Sequence, residues 1–98
     1  MQQDEIRLNK GSDLNFVVVW GIGAEPMNLT GYSVDFIDAH RRLQDHLTLS
    51  ISNAAAGEIS GRIDWDDQMP PGRSMHFRVR MTSGEDTITT PQIWVNVI

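Results

Sequence analysis

Hydrophobic and polar positions alternate with a period of two along most of this chain, in short runs separated by turn-forming residues. That period belongs to strands, whose successive side chains point to opposite faces. The clearest run is Glu58 to Trp65, where Ile59, Gly61, Ile63 and Trp65 face one way and Ser60, Arg62 and Asp64 the other. Met75, Phe77, Val79 and Met81 likewise oppose His76, Arg78 and Arg80, and Leu47, Leu49 and Ile51 oppose Thr48, Ser50 and Ser52. Tyr32, Val34 and Phe36 share a face against Ser33 and Asp35, in a strand predicted to run to Asp38. From Asp4 to Asn9 the pattern places Ile6 and Leu8 opposite Arg7 and Asn9, a charged run suited to a sheet edge. The run Leu14 to Trp20 departs from alternation, being β-branched and aromatic on both sides. It reads as a strand buried on one face and partly covered on the other. A last strand spans Thr87 to Ile98, with Pro91 marking a bulge or an edge position.

Between these runs lie chain breakers. Lys10 to Asp13, Gly21, Gly23 and Pro26, Asn53 to Gly57, Asp66 to Arg73 and Ser83 to Asp86 all read as turns or loops. Ala39 to His46 is polar and reads as a loop or one short helical turn. The Leu14 and Tyr32 strands are expected to form a hairpin across the glycine-bearing loop, with Gly31 at positive φ. Seven short strands at intervals of about ten residues predict an all-β domain. The expected form is a seven-stranded antiparallel immunoglobulin-like β-sandwich over residues 1–98, closed by Greek-key connections. Its predicted core holds Phe16, Val18, Val34, Phe36, Leu49, Ile63, Phe77 and Val79.

Composition narrows the function. Cysteine is absent from the 98 residues, which removes disulfides and thiolate metal sites and suits folding in a reducing cytoplasm. The opening Met1-Gln2-Gln3-Asp4-Glu5 lacks the basic-then-apolar pattern of a secretory signal, and no apolar run is long enough to span a membrane. A net charge of -5 argues against a nucleic-acid binder, which needs a basic face.

Three sets of polar residues have candidate chemistry. His40, His46 and His76 are imidazoles of the kind zinc takes, but their spacing matches no ligand motif, and surface positions explain them more simply. Asp64, Asp66 and Asp67, joined by Glu85 or Asp86, offer oxygen ligands suited to calcium. They lack the glycine-bearing loop of a calcium site, so a solvated acidic turn is the simpler reading. A small hydrolase would rest on this scatter alone, and no enzymatic activity and no cofactor are expected.

The apolar residues on minority faces say more. Val17 and Val19 oppose Phe16, Val18 and Trp20, while Trp94 and Ile98 oppose Ile93, Val95 and Val97. If one side of each strand is core, the other shows apolar groups unless loops or a partner cover it. Val17, Val19, Trp94 and Ile98 are therefore candidate interface residues, and the uncharged last strand is expected to present a free edge or face to a neighbour. Arg41 and Arg42, with Arg78 and Arg80, are a second candidate contact surface, or else pair with Asp35, Asp38 and Asp45. A carbohydrate- or cell-surface-binding module, with Trp20, Trp65 and Trp94 as a stacking platform, is the alternative, although two of the three tryptophans fall on core faces.

The turns also form a recognisable series. Lys10-Gly11-Ser12-Asp13, Phe16 to Trp20, then Asn28-Leu29-Thr30-Gly31-Tyr32 resemble a family of small phage virion domains. These are the immunoglobulin-like domains of phage baseplate upper proteins and short tail-associated proteins. Ala55-Ala56-Gly57-Glu58-Ile59 and Met69-Pro70-Pro71-Gly72 extend the resemblance, which covers Lys10 to Val97. Two positions depart from it, Asn28 standing for the usual acidic residue and Ser74-Met75 for an aromatic after the Pro-Gly corner. The resemblance implies a structural protein of the virion, made in the host cytoplasm and docked in a symmetric multimer on other virion proteins at the tail, baseplate or capsid. It carries over no catalytic residue.

Overall fold

Most of the alternating runs become strands with their boundaries moved by a residue or two. The computed structural model describes residues 5–22, with only the backbone of Ile22, and 25–98. In chain order the elements are β1 (Glu5–Leu8), β2 (Leu14–Val19), β3 (Gly21–Ile22), β4 (Glu25–Pro26), β5 (Ser33–Ile37), α1 (Arg41–Gln44), β6 (Leu47–Asn53), β7 (Glu58–Ile63), β8 (Gly72–Ser83), β9 (Asp86–Thr89) and β10 (Ile93–Val97). A 3-10 turn at Ala54–Ala56 joins β6 to β7. Asp4 and Gly23, which the sequence placed in the first strand and in the glycine-bearing loop after the Leu14 strand, lie outside the described residues.

The fold is all-β, in two main sheets. One runs β1-β10-β8-β5, with β9 also on β8; the other runs β2-β7-β6, and β3 and β4 form a small ribbon. The inward residues of β8, namely Met75, Phe77, Val79 and Met81, are wholly buried, as are Ile59 and Ile63 of β7. Phe16 of β2 bridges the layers, its ring centroid 6.1 Å from that of Phe77. It has room because it sits over Gly61, where any Cβ would meet the ring itself. Of the expected core, Val18, Ile63, Phe77 and Val79 are buried, and Phe16, Val34, Phe36 and Leu49 pack partly buried against them.

Four features differ from the sequence expectation. The strands are more numerous than seven, and the larger sheet is mixed: β1 pairs with β10 in parallel, Glu5 beside Trp94 and Leu8 beside Val97. Short turns force neighbours in sequence to be antiparallel, but these two strands are joined through nearly the whole chain, so nothing imposes opposite directions. Consequently β10 is not a free edge; it lies between β1 and β8. Nor do β2 and β5 form a hairpin, since they belong to different sheets. The segment between them crosses the sandwich and is anchored by Leu29, fully buried, whose N–H donates to the Ala54 carbonyl at 2.7 Å. The turn that follows is held by Asn28, whose Oδ1 accepts from the Thr30 N–H at 2.9 Å. Gly31 closes it with φ 86°, the positive value expected.

The fourth difference lies in the last strand, which is divided. Arg80 pairs with Thr89 and Phe77 with Ile93, so four steps along β9–β10 match three along β8. One extra residue is accommodated as a bulge at Thr90–Gln92. It reverses the phase of the strand: Ile88 and Thr90 face the core before the bulge, and Ile93, Val95 and Val97 after it. Thr90 is buried and repairs the interrupted ladder. Its N–H donates to the Val79 carbonyl at 2.9 Å, and its Oγ1 accepts the Val79 N–H at 3.0 Å. The hydroxyl donates in turn to the Pro91 carbonyl at 3.0 Å, and the displaced Thr90 carbonyl accepts from Arg78 Nε at 2.9 Å.

The polar segment after β5 forms the one-turn α1. His40 caps it, Nδ1 accepting the Arg42 N–H at 3.1 Å, and Leu43 is driven fully into the core.

Candidate functional site

The outer faces of the two sheets are where a partner could bind, and they differ in character. On the smaller sheet the outward residues of β2 are Asn15, Val17 and Val19. Val17 is 50% and Val19 56% exposed, against hydroxyl-rich neighbours such as Ser60 of β7 and Ser50 of β6. At the Leu14 end of this face Arg62 is fixed by three acceptors, Asp64 at 2.7 Å, Asp13 at 3.0 Å and Asn15 at 3.3 Å. The Arg62 cluster gathers charge at this end; at the other end Glu58 of β7 lies opposite Val19 and accepts from Ser52 Oγ at 2.9 Å, and Val17 faces Ser60 between them.

The outer face of the larger sheet is polar, with one aromatic. Trp94 is half-buried by its own chain: the Arg73 guanidinium lies 5.2 Å from its ring centroid, and His76 meets it edge-on at 5.1 Å. Arg73 is oriented by Glu5 at 3.3 Å. Farther along, Arg80 takes both carboxylate oxygens of Asp35, directly opposite it on β5. That hydrogen bond, and then the charge of Asp35, raise the Arg80 guanidinium above its ordinary pKa, with desolvation opposing them. Arg78 reaches Asp38 at 3.4 Å. Arg78 and Arg80 are therefore paired with carboxylates, as one of the two sequence readings had it.

The six candidate interface residues do not form one surface. Val17 and Val19 are neighbours on the smaller sheet, Trp94 is on the opposite side of the sandwich, and Arg41 and Arg42 sit on α1. Ile98 is 56% exposed just past β10, with its backbone tied to Leu8 and Lys10. The expected stacking platform is also dispersed. Trp20 and Trp65 follow opposite ends of the β2–β7 ladder and pack against the core, whereas Trp94 does not.

The acidic and imidazole side chains have structural duties. Asp64 accepts from Arg62, Asp66 lies 3.1 Å from His46 and caps the Gln68 N–H at 3.0 Å, and Asp67 accepts Trp65 Nε1–H at 2.9 Å. Glu85 and Asp86 lie beyond the other end of the twelve-residue β8 from this turn. No three His, Asp or Glu side chains among the described residues converge on a point where one metal ion would sit. His40, His46 and His76 each face a different partner, and no shared site unites them.

Sequence reading missed two things here. One is Thr90, whose only signal was its place before Pro91; the other is that β2 is an edge strand, a matter of sheet order that no single run encodes. Comparison with protein-family models, curated proteins and solved structures finds no match to this chain.

Proposed function

We propose that this domain is a structural subunit of a phage virion, an adaptor, decoration or tail- or baseplate-associated protein that docks on other virion proteins within a symmetric multimer. It is made in the host cytoplasm and works in the particle, through protein contacts and not through catalysis, nucleic acid, membrane or cofactor. The observation that carries this reading is the exposed pair Val17 and Val19 on an uncharged strand, an apolar patch suited to a protein contact.

The strand order supports the resemblance seen in the turns. With the two-residue β3 and β4 set aside and β9–β10 taken as one bulged strand, the second, fourth and fifth strands share one sheet and the third, sixth and last the other. That is the division of an immunoglobulin-like Greek key, with the first strand attached beside the last.

Mass spectrometry of particles purified from a phage lysate, with the reading frames flanking the gene, tests the proposal. The chain is expected at fixed stoichiometry, encoded among capsid, tail or baseplate genes. Its absence from purified particles would overturn the assignment. The carbohydrate-binding reading has less support, because its three tryptophans share no face; glycan-array binding by the purified domain would favour it.

A further inference from the structure

Among the described residues no strand pairs with the outer edge of β2, and this edge is unlike the other edges of the two sheets. The ladder to β7 continues past Val19, where the Trp20 N–H donates to the Gly57 carbonyl at 2.9 Å. Backbone groups alternate along a strand, so Leu14, Phe16 and Val18 also turn theirs toward β7. Asn15, Val17 and Val19 turn their N–H and C=O groups away from it. No hydrogen bond from the described residues meets these groups. The same three residues point to the outer face, so the half-exposed valines lie beside a row of donors and acceptors that no described residue pairs.

Soluble proteins blunt such an edge by shortness, charge, proline, a bulge or a covering segment. β1 has four residues and carries Glu5 and Arg7; β5 carries Asp35; β6 turns Thr48, Ser50 and Ser52 outward and has a register shift between Ile51 and Asn53. β2 has six residues, no charge, no proline and unbroken register.

We propose that this edge pairs antiparallel with β2 of a second copy of the chain, about a two-fold axis at Val17, joining two three-stranded sheets into one. A second copy fits because an antiparallel edge is self-complementary about a two-fold axis. Val17 exchanges both backbone bonds with Val17 of the second copy, and Asn15 does so with its Val19. On the inner face Phe16 comes beside the second copy's Val18, which extends the apolar core across the seam. The chain as a whole is acidic, but Leu14 to Trp20 contains no charged residue, so no like charges meet where the strands touch. Six residues a side fall well short of the roughly 20–30 of a standard interface. The pairing is therefore weak and concentration-dependent in dilute solution, and tightens where copies are held together in a larger assembly.

The inference is independent of the virion assignment, because it is tested on purified protein alone. Sedimentation equilibrium over a wide concentration range is expected to show a reversible monomer–dimer equilibrium for the wild type. Val17→Lys and Val17→Glu each place like charges opposite one another across the axis, and each should weaken association at least about tenfold. Mixing the two variants in equal amounts sets Lys against Glu and should restore the dimer. Unchanged melting temperature and circular dichroism of both variants confirm that folding is intact. A wild type that stays monomeric at about 1 mM overturns the proposal. So does a dimer that both single variants leave intact, or a mixture that remains monomeric.

Discussion

Replacing Thr90 by valine isolates what the bulge in the last strand contributes. The two side chains are nearly isosteric, so packing at this buried position changes little, and the hydroxyl alone is lost. Oγ1 accepts the Val79 N–H at 3.0 Å, and that donor is buried in the middle of β8 with no other acceptor provided by the ladder. Leaving a buried donor unsatisfied costs about 1–3 kcal/mol. The Pro91 carbonyl also loses its donor, but Pro91 is exposed and water replaces the bond at little cost. Valine returns part of the loss, because a buried methyl in place of a hydroxyl gains up to about 0.8 kcal/mol. The balance is a destabilisation of about 1–2 kcal/mol. For a domain of this size that lowers the melting temperature by roughly 4–16 °C. Thermal denaturation measures the loss, and amide hydrogen exchange locates it: Val79 should lose protection in Thr90→Val and keep it in Thr90→Ser, which retains the acceptor. A valine variant as stable as the wild type, with Val79 still protected, would refute the idea that this hydroxyl completes the ladder.

Three further substitutions probe the rest of the framework. Phe77→Ala should cost about 3–5 kcal/mol by urea denaturation, since Phe77 is wholly buried and meets Phe16 across the sandwich; a loss under about 1 kcal/mol would place it outside the core. Gly31→Val should cost about 1–2 kcal/mol from backbone conformation alone, because φ is 86° and the nearest atom to an added Cβ is Ser83 Oγ at 4.0 Å; an unchanged melting temperature would mean the turn relaxes freely. Gly61→Ala should displace the Phe16 ring that occupies the space of its Cβ, costing about 1–3 kcal/mol and shifting the Phe16 aromatic resonances in NMR spectra, and unshifted resonances would show that the ring does not lie over Gly61.

The strands were legible because a half-buried sheet writes its pattern directly into alternate residues. Ile59, Ile63, Phe77 and Val79 stood out in the sequence and are buried. Less legible were residues buried by long-range geometry. Leu29 and Leu43 are completely buried, yet each occurs as one apolar residue in a polar stretch, with no periodicity to mark it. Sheet order was equally silent, because pairing partners distant in the chain leave no trace in local pattern; β1 beside β10 and β2 apart from β5 are both of this kind. The bulge was half visible, as Pro91 marked the place, but the change of phase needed the register of β8 to be seen. Of the proposed contact surface, the doubly apolar character of the Leu14 strand was plain, and the exposure of Val17 and Val19 follows from it. That Trp94 is covered by Arg73 and His76 was not, since those contacts join β8 to β10 across the sheet.

The parallel pairing of β1 with β10 has a mechanical consequence. Glu5 lies beside Trp94 and Leu8 beside Val97, so the two strands run the same way with their outer ends at opposite ends of the ladder. Tension applied before β1 and after β10 pulls the strands past each other along their length. The load then falls on the whole row of hydrogen bonds together, whereas a terminal hairpin pulled open would break them in turn. Resistance to such a pull is set by the barrier to unfolding and not by equilibrium stability. A small domain with modest thermal stability can therefore bear tension between its two ends far better than force applied across the same strands.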